Sequence, residues 1–230
     1  MRRFKVTNLP EPGGTLRLDA QGSHHMLQVC RTPRGAHLVV FDGSGRQAQA
    51  ELFDVQGGHA ALRVLTTPAA ARPAMALHLV LSLPKGPALD HALRMAVETG
   101  ATHIHPAISA RTVRRGGRHE RWQRVLDGAA GQCGRADVPK LSPLGPLPEA
   151  IRRVPETADR RVAVPGASER QPARSDAALA VGPEGGWEPS ELDRMIEQGW
   201  VPVGLGGWTM RVDTAVAVGL AAVAARVTFP

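Results

Sequence analysis

Over the first ~70 positions short apolar runs alternate with polar and glycine breaks, a spacing that predicts strands and tight turns. Leu38-Val39-Val40-Phe41 runs into Asp42-Gly43-Ser44-Gly45, and Gln47 to Phe53 follows, which predicts a hairpin. Ala60 to Leu65 predicts a third strand, and Ser23 to Arg31 a short helix capped by Ser23. Short strands at this spacing predict a small β-barrel over residues 1–70. Thr66 to Pro73, with two prolines, predicts a linker.

After the linker the period lengthens. Met75 to Leu83 predicts an apolar strand. Leu89 to Thr99 predicts a helix with Leu89, Leu93, Ala96 and Val97 on one face and Gly100 as its stop. Further strands are expected over 101–106, 161–164 and 177–181, and helices over 118–133, 189–198 and 214–227. The last is apolar nearly all round, so it is expected to be buried. Alternating strands and helices over 73–230 predict an α/β domain with a mainly parallel sheet covered on both faces.

Composition narrows the class. A 230-residue chain that is 43% hydrophobic can bury a real core. No run approaches the ~18 apolar residues of a membrane helix. The charged start Met1 to Val6 is not followed by an apolar stretch, so no signal peptide is expected and the chain reads as cytoplasmic. Two cysteines, Cys30 and Cys133, are too few for a disulfide framework.

Charge adds more. The net charge is +7, from 28 basic and 21 acidic residues. The excess sits in residues 1–72, with nine basic and five acidic, and in 111–135, with seven and two; residues 136–230 carry ten and twelve. Only Lys5, Lys85 and Lys140 are lysines, as codon drift toward Arg would produce, but drift does not explain clustering. The clusters imply a polyanionic partner.

Ligands of open α/β sheets bind at loops beyond the carboxyl ends of strands. Two such loops are glycine-laden: Gly182-Pro183-Glu184-Gly185-Gly186-Trp187 and Gly204-Leu205-Gly206-Gly207-Trp208-Thr209-Met210-Arg211. Neither carries a Walker or dinucleotide pattern. On spacing alone, a nucleotide-like ligand and plain tight turns are equally open.

The order of motifs resembles the RsmE family of SPOUT methyltransferases. Gly182 to Gly186, with Trp187 and Glu191 downstream, is similar to the family's signature loop. Leu205-Gly206 followed by Met210-Arg211-Val212-Asp213-Thr214-Ala215 is similar to its second motif. Ala129 to Arg135 leading to Val138-Pro139, Ser109-Ala110-Arg111, and His24-His25-Met26-Leu27 to Arg31 are similar to three more. Met95, Ala110, Trp208, Val212 and Asp213 depart from the family pattern, where Lys, Glu, Arg, Thr and Glu are usual.

The resemblance implies an N-terminal PUA-like β-barrel over 1–70 that binds RNA, and a SPOUT domain over 73–230 whose C-terminal segment threads a trefoil knot. It implies S-adenosylmethionine as cofactor, a homodimer, and N3 methylation of a uridine in 16S rRNA, free or within the small ribosomal subunit. The alternatives are a non-catalytic RNA-binding or ribosome-assembly protein, and a related methyltransferase with another RNA target. Cofactor contact is expected from Leu81, Leu83, Gly182, Glu184, Gly185, Gly186, Leu205, Gly206 and Met210, with Glu184 either binding the cofactor's amino group or pinning its loop. Arg211 is expected to stabilise charge developing on the uracil. Asp213 is expected either to accept the N3 proton or, the favoured reading, to cap the final helix.

RNA phosphates are expected at Arg111, Arg114, Arg115, Arg118, Arg121 and Arg124 around Gly116-Gly117, with Gln132 and Arg135 further along. Tyrosine is absent and aromatics total 3%, so no stacking platform for single-stranded RNA is evident. His24-His25 and His103-x-His105 lack the further ligands that would complete a metal site, so none is assigned. Cys133 reads as a buried structural thiol.

Overall fold

The computed structural model describes residues 1–71, 73–113, 118–168, 173 and 175–224. The chain forms two compact units, Met1–Arg72 with Ala130–Val138, and Pro73–Ala129 with Pro139–Pro230.

The first unit holds a five-stranded sheet: β1 (Arg3–Lys5), β2 (Thr15–Arg17), β3 (His37–Phe41), β4 (Gln47–Gln56) and β5 (His59–Thr66), in the order β1-β3-β4-β5-β2. The expected hairpin is present, with β3 antiparallel to β4 from His37↔Glu51 to Phe41↔Gln47. Phe4, Met26, Leu38, Val40, Leu52, Leu62 and Val64 fill its core. Residues 130–138 join this unit through hydrogen bonds far apart in sequence: Gly45 N–H donates to Ala136 O, Val138 N–H to Gly43 O, and Arg3 to Arg135 O. Nothing in the local pattern around residue 130 marks that attachment.

The helix expected from Ser23 starts earlier. It is α1 (Ala20–His24), capped by Asp19, whose Oδ1 accepts the Gly22 N–H at 2.7 Å, and it continues as a π-helical turn over His25–Val29. Ser23 is buried instead of capping: its hydroxyl donates to Leu18 O and accepts the Ala60 N–H.

The second unit holds a parallel sheet of β6 (Leu77–Ser82), β7 (His103–Ile108), β8 (Lys140–Leu141), β9 (Gly145–Pro146), β10 (Asp159–Ala163), β11 (Ala177–Val181) and β12 (Val201–Val203). The order is β12-β10-β11-β6-β7-β8, with β9 also on β7, and every pairing is parallel. Around it lie α2 (Ala88–Glu98), α3 (His119–Cys133), α4 (Leu147–Arg152), α5 (Pro189–Glu197) and α6 (Val212–Ala224). Strand alternation turns Val80, Ala107, Val162, Ala178 and Ala180 toward Leu147, Ile151, Met195 and Trp200. The opposite face carries α6, which packs on α2, β11 and β6. Both faces are thus covered, as a parallel sheet requires.

Three expectations are revised. The final helix begins at Val212, not Thr214, and the last three positions expected of it, 225–227, lie outside the described residues. It is buried on one face only, through Val212, Val216, Gly219, Leu220, Val223 and Ala224, while Val218, Ala221 and Ala222 are exposed. Small residues let it seat against the sheet without being surrounded. Cys133 is exposed, not buried, because it falls on the outward side of the last turn of α3. Among the described residues, no helix is long and apolar enough to cross a membrane.

At the amino-terminal end of the sheet, three histidines share one face of β6 and β7. His78 Nδ1 lies 3.0 Å from His105 Nε2, His105 Nδ1 lies 2.9 Å from Ser142 Oγ, and the His78 and His103 rings stack at 4.3 Å. Burial holds His78 down at about 4 and His105 at about 3, and lowers His103 as well; Lys140 and Arg153 add to this, while Asp176 opposes it. Above pH ~6.5 these rings are neutral whether folded or unfolded. Below that, the unfolded chain takes up protons that the folded chain excludes, so stability falls as pH drops from ~6.5 toward those lowered values. Urea midpoints should therefore be lower at pH 5 than at pH 7.5, and His105→Gln should flatten the difference by on the order of 1–2 kcal/mol. An unchanged slope in that variant would place the acid sensitivity elsewhere.

Candidate active site

The parallel register brings five strand ends to one edge. Val181 pairs with Leu81, Leu81 with Pro106, Val162 with Ala180, and Ala163 with Val203. The connections after β6, β7, β10, β11 and β12 therefore leave from the same side. From β6 the chain moves to β7 on one flank, and from β11 to β12 on the other. The gap above β6 and β11 is the switch point at which open α/β sheets bind ligands.

The loop 204–211 must cross this edge. It starts at β12, on the rim of the sheet, yet delivers the chain to α6, which packs on β11, β6 and α2. Its start is held by Gly204 N–H, which donates to Ser168 O at 3.0 Å, and a Cβ there would collide with Ala167 O. Gly206 follows at φ 139°, a conformation few side chains tolerate, with Met210 Cε closing over it. Leu205 lies against the point where Gly219 of α6 approaches Leu179 of β11.

The loop 182–188 is locked from several sides. Trp187 lays its indole against Gly182 and donates Nε1 to Ala163 O at 3.2 Å. Glu184 Oε1 accepts the Lys85 N–H at 2.9 Å, tying this loop to the one after β6. Glu188 and Glu191 form a capping box at the start of α5, and Glu191 also accepts the Ala110 N–H at 2.8 Å. Leu81 and Leu83 are fully buried beneath these loops. All nine residues expected around the cofactor lie along this edge.

The arginines divide by partner. Arg111 donates to Glu188 Oε1 and Gly185 O, both at 2.7 Å, so it clasps the 182–188 loop. Arg121 pairs with Asp90 at 2.6 Å, and Arg135 with Asp137. Arg118, Arg124 and Gln132 are exposed. Arg114 and Arg115, with Gly116-Gly117, lie outside the described residues. Arg94, not anticipated, joins Arg121, Arg124, Val125, Gly128 and Ala129 around an open groove of about 380 Å³ between α2 and α3. Its spacing of four from Asp90 was the available signal.

Arg211 is 74% exposed at the end of the 204–211 loop and pairs with Asp213 at 3.3 Å. Asp213, 14% exposed, also accepts the Thr214 N–H at 3.1 Å and lies 3.7 Å from His91 Nδ1. It sits inside the first turn of α6, two places past the capping position at Arg211, so it does not cap the helix as expected, because the helix starts two residues earlier than its sequence pattern suggests. Two further residues escaped the sequence reading: Glu188, whose spacing to Glu191 is a capping signature, and Ser82. The Ser82 hydroxyl is buried at this edge with no hydrogen-bond partner. Among the described residues, no group of three or more His, Cys, Asp and Glu side chains is placed to hold a metal.

Comparison with known proteins shows the family. The RNA methyltransferase domain family matches residues 71–224. A ribosomal RNA small subunit methyltransferase E of Synechocystis is 33% identical over 220 residues, covering 90% of this chain and 72% of the relative. A crystal structure of the protein of that name from Neisseria gonorrhoeae, bound to S-adenosyl methionine, superposes with a TM-score of 0.91 at 29% identity, covering 98% of this chain and 97% of the other. A Legionella pneumophila methyltransferase solved with bound SAM superposes with a TM-score of 0.88 at 25% identity, covering 97% and 96%.

The seat of α6 can be tested by contrasting two helical glycines. A Cβ on Gly219 would stand 2.5 Å from Leu179 Cδ2 and 3.1 Å from Leu205 Cδ1, whereas one on Gly128 in α3 would meet nothing within 4 Å. Gly219→Val should destabilise by about 1–3 kcal/mol through overpacking. Gly128→Ala should stabilise by about 0.5–1 kcal/mol. Thermal midpoints shifting in the same direction for both would overturn the close approach.

Proposed function

This chain belongs to the RNA methyltransferase domain family, and we propose that it methylates N3 of a uridine in 16S rRNA with S-adenosylmethionine as methyl donor. The observation that carries the reading is the convergence of the two glycine loops and the Arg211–Asp213 pair at one switch point.

The residues present fit the cofactor. Gly186 and Gly207 leave open space beside their backbones, Leu81, Leu83, Leu205 and Met210 supply apolar walls, and the orphaned Ser82 hydroxyl is a spare hydrogen-bonding group. When bound, S-adenosylmethionine supplies a methyl group activated on a sulfonium. Gly182 to Gly186 offer backbone groups, and Glu184 keeps their loop against Lys85. Seating of the 204–211 loop against Ala167 and Ser168, and the Ala173 N–H bond to Val223 O, support the trefoil knot proposed for this segment.

Arg211 offers the uracil a planar, permanently charged donor, and Asp213 holds that donor by an ion pair. As N3 loses its proton, negative charge spreads over O2, N3 and O4, and the guanidinium stabilises it. In this reading Asp213, beside Arg211, accepts that proton. RNA phosphates are drawn by Arg118, Arg121 and Arg124, with Arg94 across the groove; Arg111 and Arg135 orient loops through their ion pairs. The exposed strip of α6, with Val218, Ala221 and Ala222, together with Met95 of α2, supports a homodimer built on this face.

Mass spectrometry of 16S rRNA from cells lacking this protein should show one missing N3-methyluridine; an intact modification pattern would refute the reading. Arg211→Lys should slow single-turnover methylation roughly 10²–10³-fold with cofactor affinity little changed. Collapse of cofactor binding with normal turnover per bound complex would make Arg211 a loop-holding residue. Arg94, Arg121 and Arg124 changed together to Ala should reduce the salt slope of RNA affinity by roughly one unit per lost phosphate contact.

A further inference from the structure

Aromatic side chains are scarce in this protein, and the fold uses nearly all of them internally. Phe4, Phe41, Trp122 and Trp200 are buried, Trp187 covers Gly182, and Phe53 lies under Arg63 at 4.7 Å. Trp208 is the exception among the described residues: it is 89% exposed. It stands on the crossing loop at the carboxyl edge, directly after Gly206-Gly207 and three residues before the exposed Arg211. A large apolar ring presented to water three residues from an exposed charged donor is unusual for a surface loop, and its flat faces have the dimensions of a nucleobase.

We propose that the Trp208 indole is a stacking surface for an unpaired base of the RNA substrate, adjacent to Arg211. The inference rests on the RNA methyltransferase reading and adds to it a recognition residue. Methylation at a Watson–Crick edge requires a base that has left its pair and its stack, so the π-faces it exposes need a new partner. An indole supplies one without regard to sequence, while the neighbouring guanidinium supplies charge complementary to the RNA. The surface is a single ring and not an extended platform. It therefore suits one displaced base in an otherwise folded RNA.

The test uses the full protein with two probes of equal length and charge, oligouridine and an abasic ribose-phosphate oligomer. Trp208 fluorescence, isolated as the difference between wild type and Trp208→Phe, should be quenched by oligouridine and not by the abasic chain. Trp208→Ala should weaken oligouridine binding roughly 5- to 150-fold, the range for loss of one base–aromatic stack. Trp208→Phe should retain most of that affinity, and calorimetric binding of S-adenosylmethionine should be equal in all three proteins. Equal response to both probes, or unchanged oligouridine affinity in Trp208→Ala, would overturn the proposal. So would a concentration-dependent blue shift of Trp208 emission without RNA, which would assign the ring to a second copy of the chain. Base-dependent quenching together with a methyl group found away from N3 would support the stacking role while refuting the N3 reading.

Discussion

The approach of α6 to β11 at Gly219 governs the geometry of the whole edge. With no side chain at Gly219, the helix axis comes close enough that even one carbon would press on Leu179 and Leu205. A helix seated there, over the middle of the sheet, obliges the chain leaving β12 on the rim to double back across the strand ends. That crossing brings Leu205, Gly206, Met210 and Arg211 over the same gap as Gly182 to Gly186. A bulkier residue at 219 would push α6 outward and open the space that the two loops enclose.

Electrostatics works on this frame as orientation more than as stability. Arg111–Glu188, Arg121–Asp90 and Arg211–Asp213 are exposed or half-exposed pairs, each worth about 0–1 kcal/mol. What they do is fix direction. Arg111 reaches across to Gly185 O and holds the loop after β11 against the one after β7. Glu184 does the same toward Lys85, and Glu191 toward Ala110, so three carboxylates or guanidinia stitch together segments that follow three different strands. Arg211 is aimed by Asp213, which is itself anchored to the first turn of α6. The charge excess expected to face RNA is thus partly consumed in building the site. Arg94 and Arg124 stand with the paired Arg121 around the groove between α2 and α3.

The opposite end of the same sheet shows a different solution for polar groups in a core. His78 and His105 sit where strand alternation demands apolar residues, and they satisfy each other and Ser142 as neutral rings. Read singly, each histidine of the strand starting at His103 looks like a packing or edge residue. Only the parallel register of β6 with β7 places His78 beside His103 and turns three separate positions into one network. The same register defines the active edge.

Local pattern determined a large share of this protein: the hairpin of β3 and β4, the strands β6, β7, β10 and β11, and the helices α2, α3 and α5 follow from period and from glycine and proline stops. The ordered motifs determined the family, while the place of the two glycine loops after strands left a ligand and plain tight turns equally open. The shorter elements β8, β9 and α4 left too few residues for a period to show. Strand order, the attachment of 130–138 to the first unit, and the half-exposed face of α6 depend on partners distant in sequence, so composition and spacing carry no trace of them. The same holds for chemistry. Sequence named Arg111, Arg135 and Arg211 as cations, but only the tertiary structure assigned Glu188, Asp137 and Asp213 as their partners, because a charge takes its role from the charges that folding brings within reach.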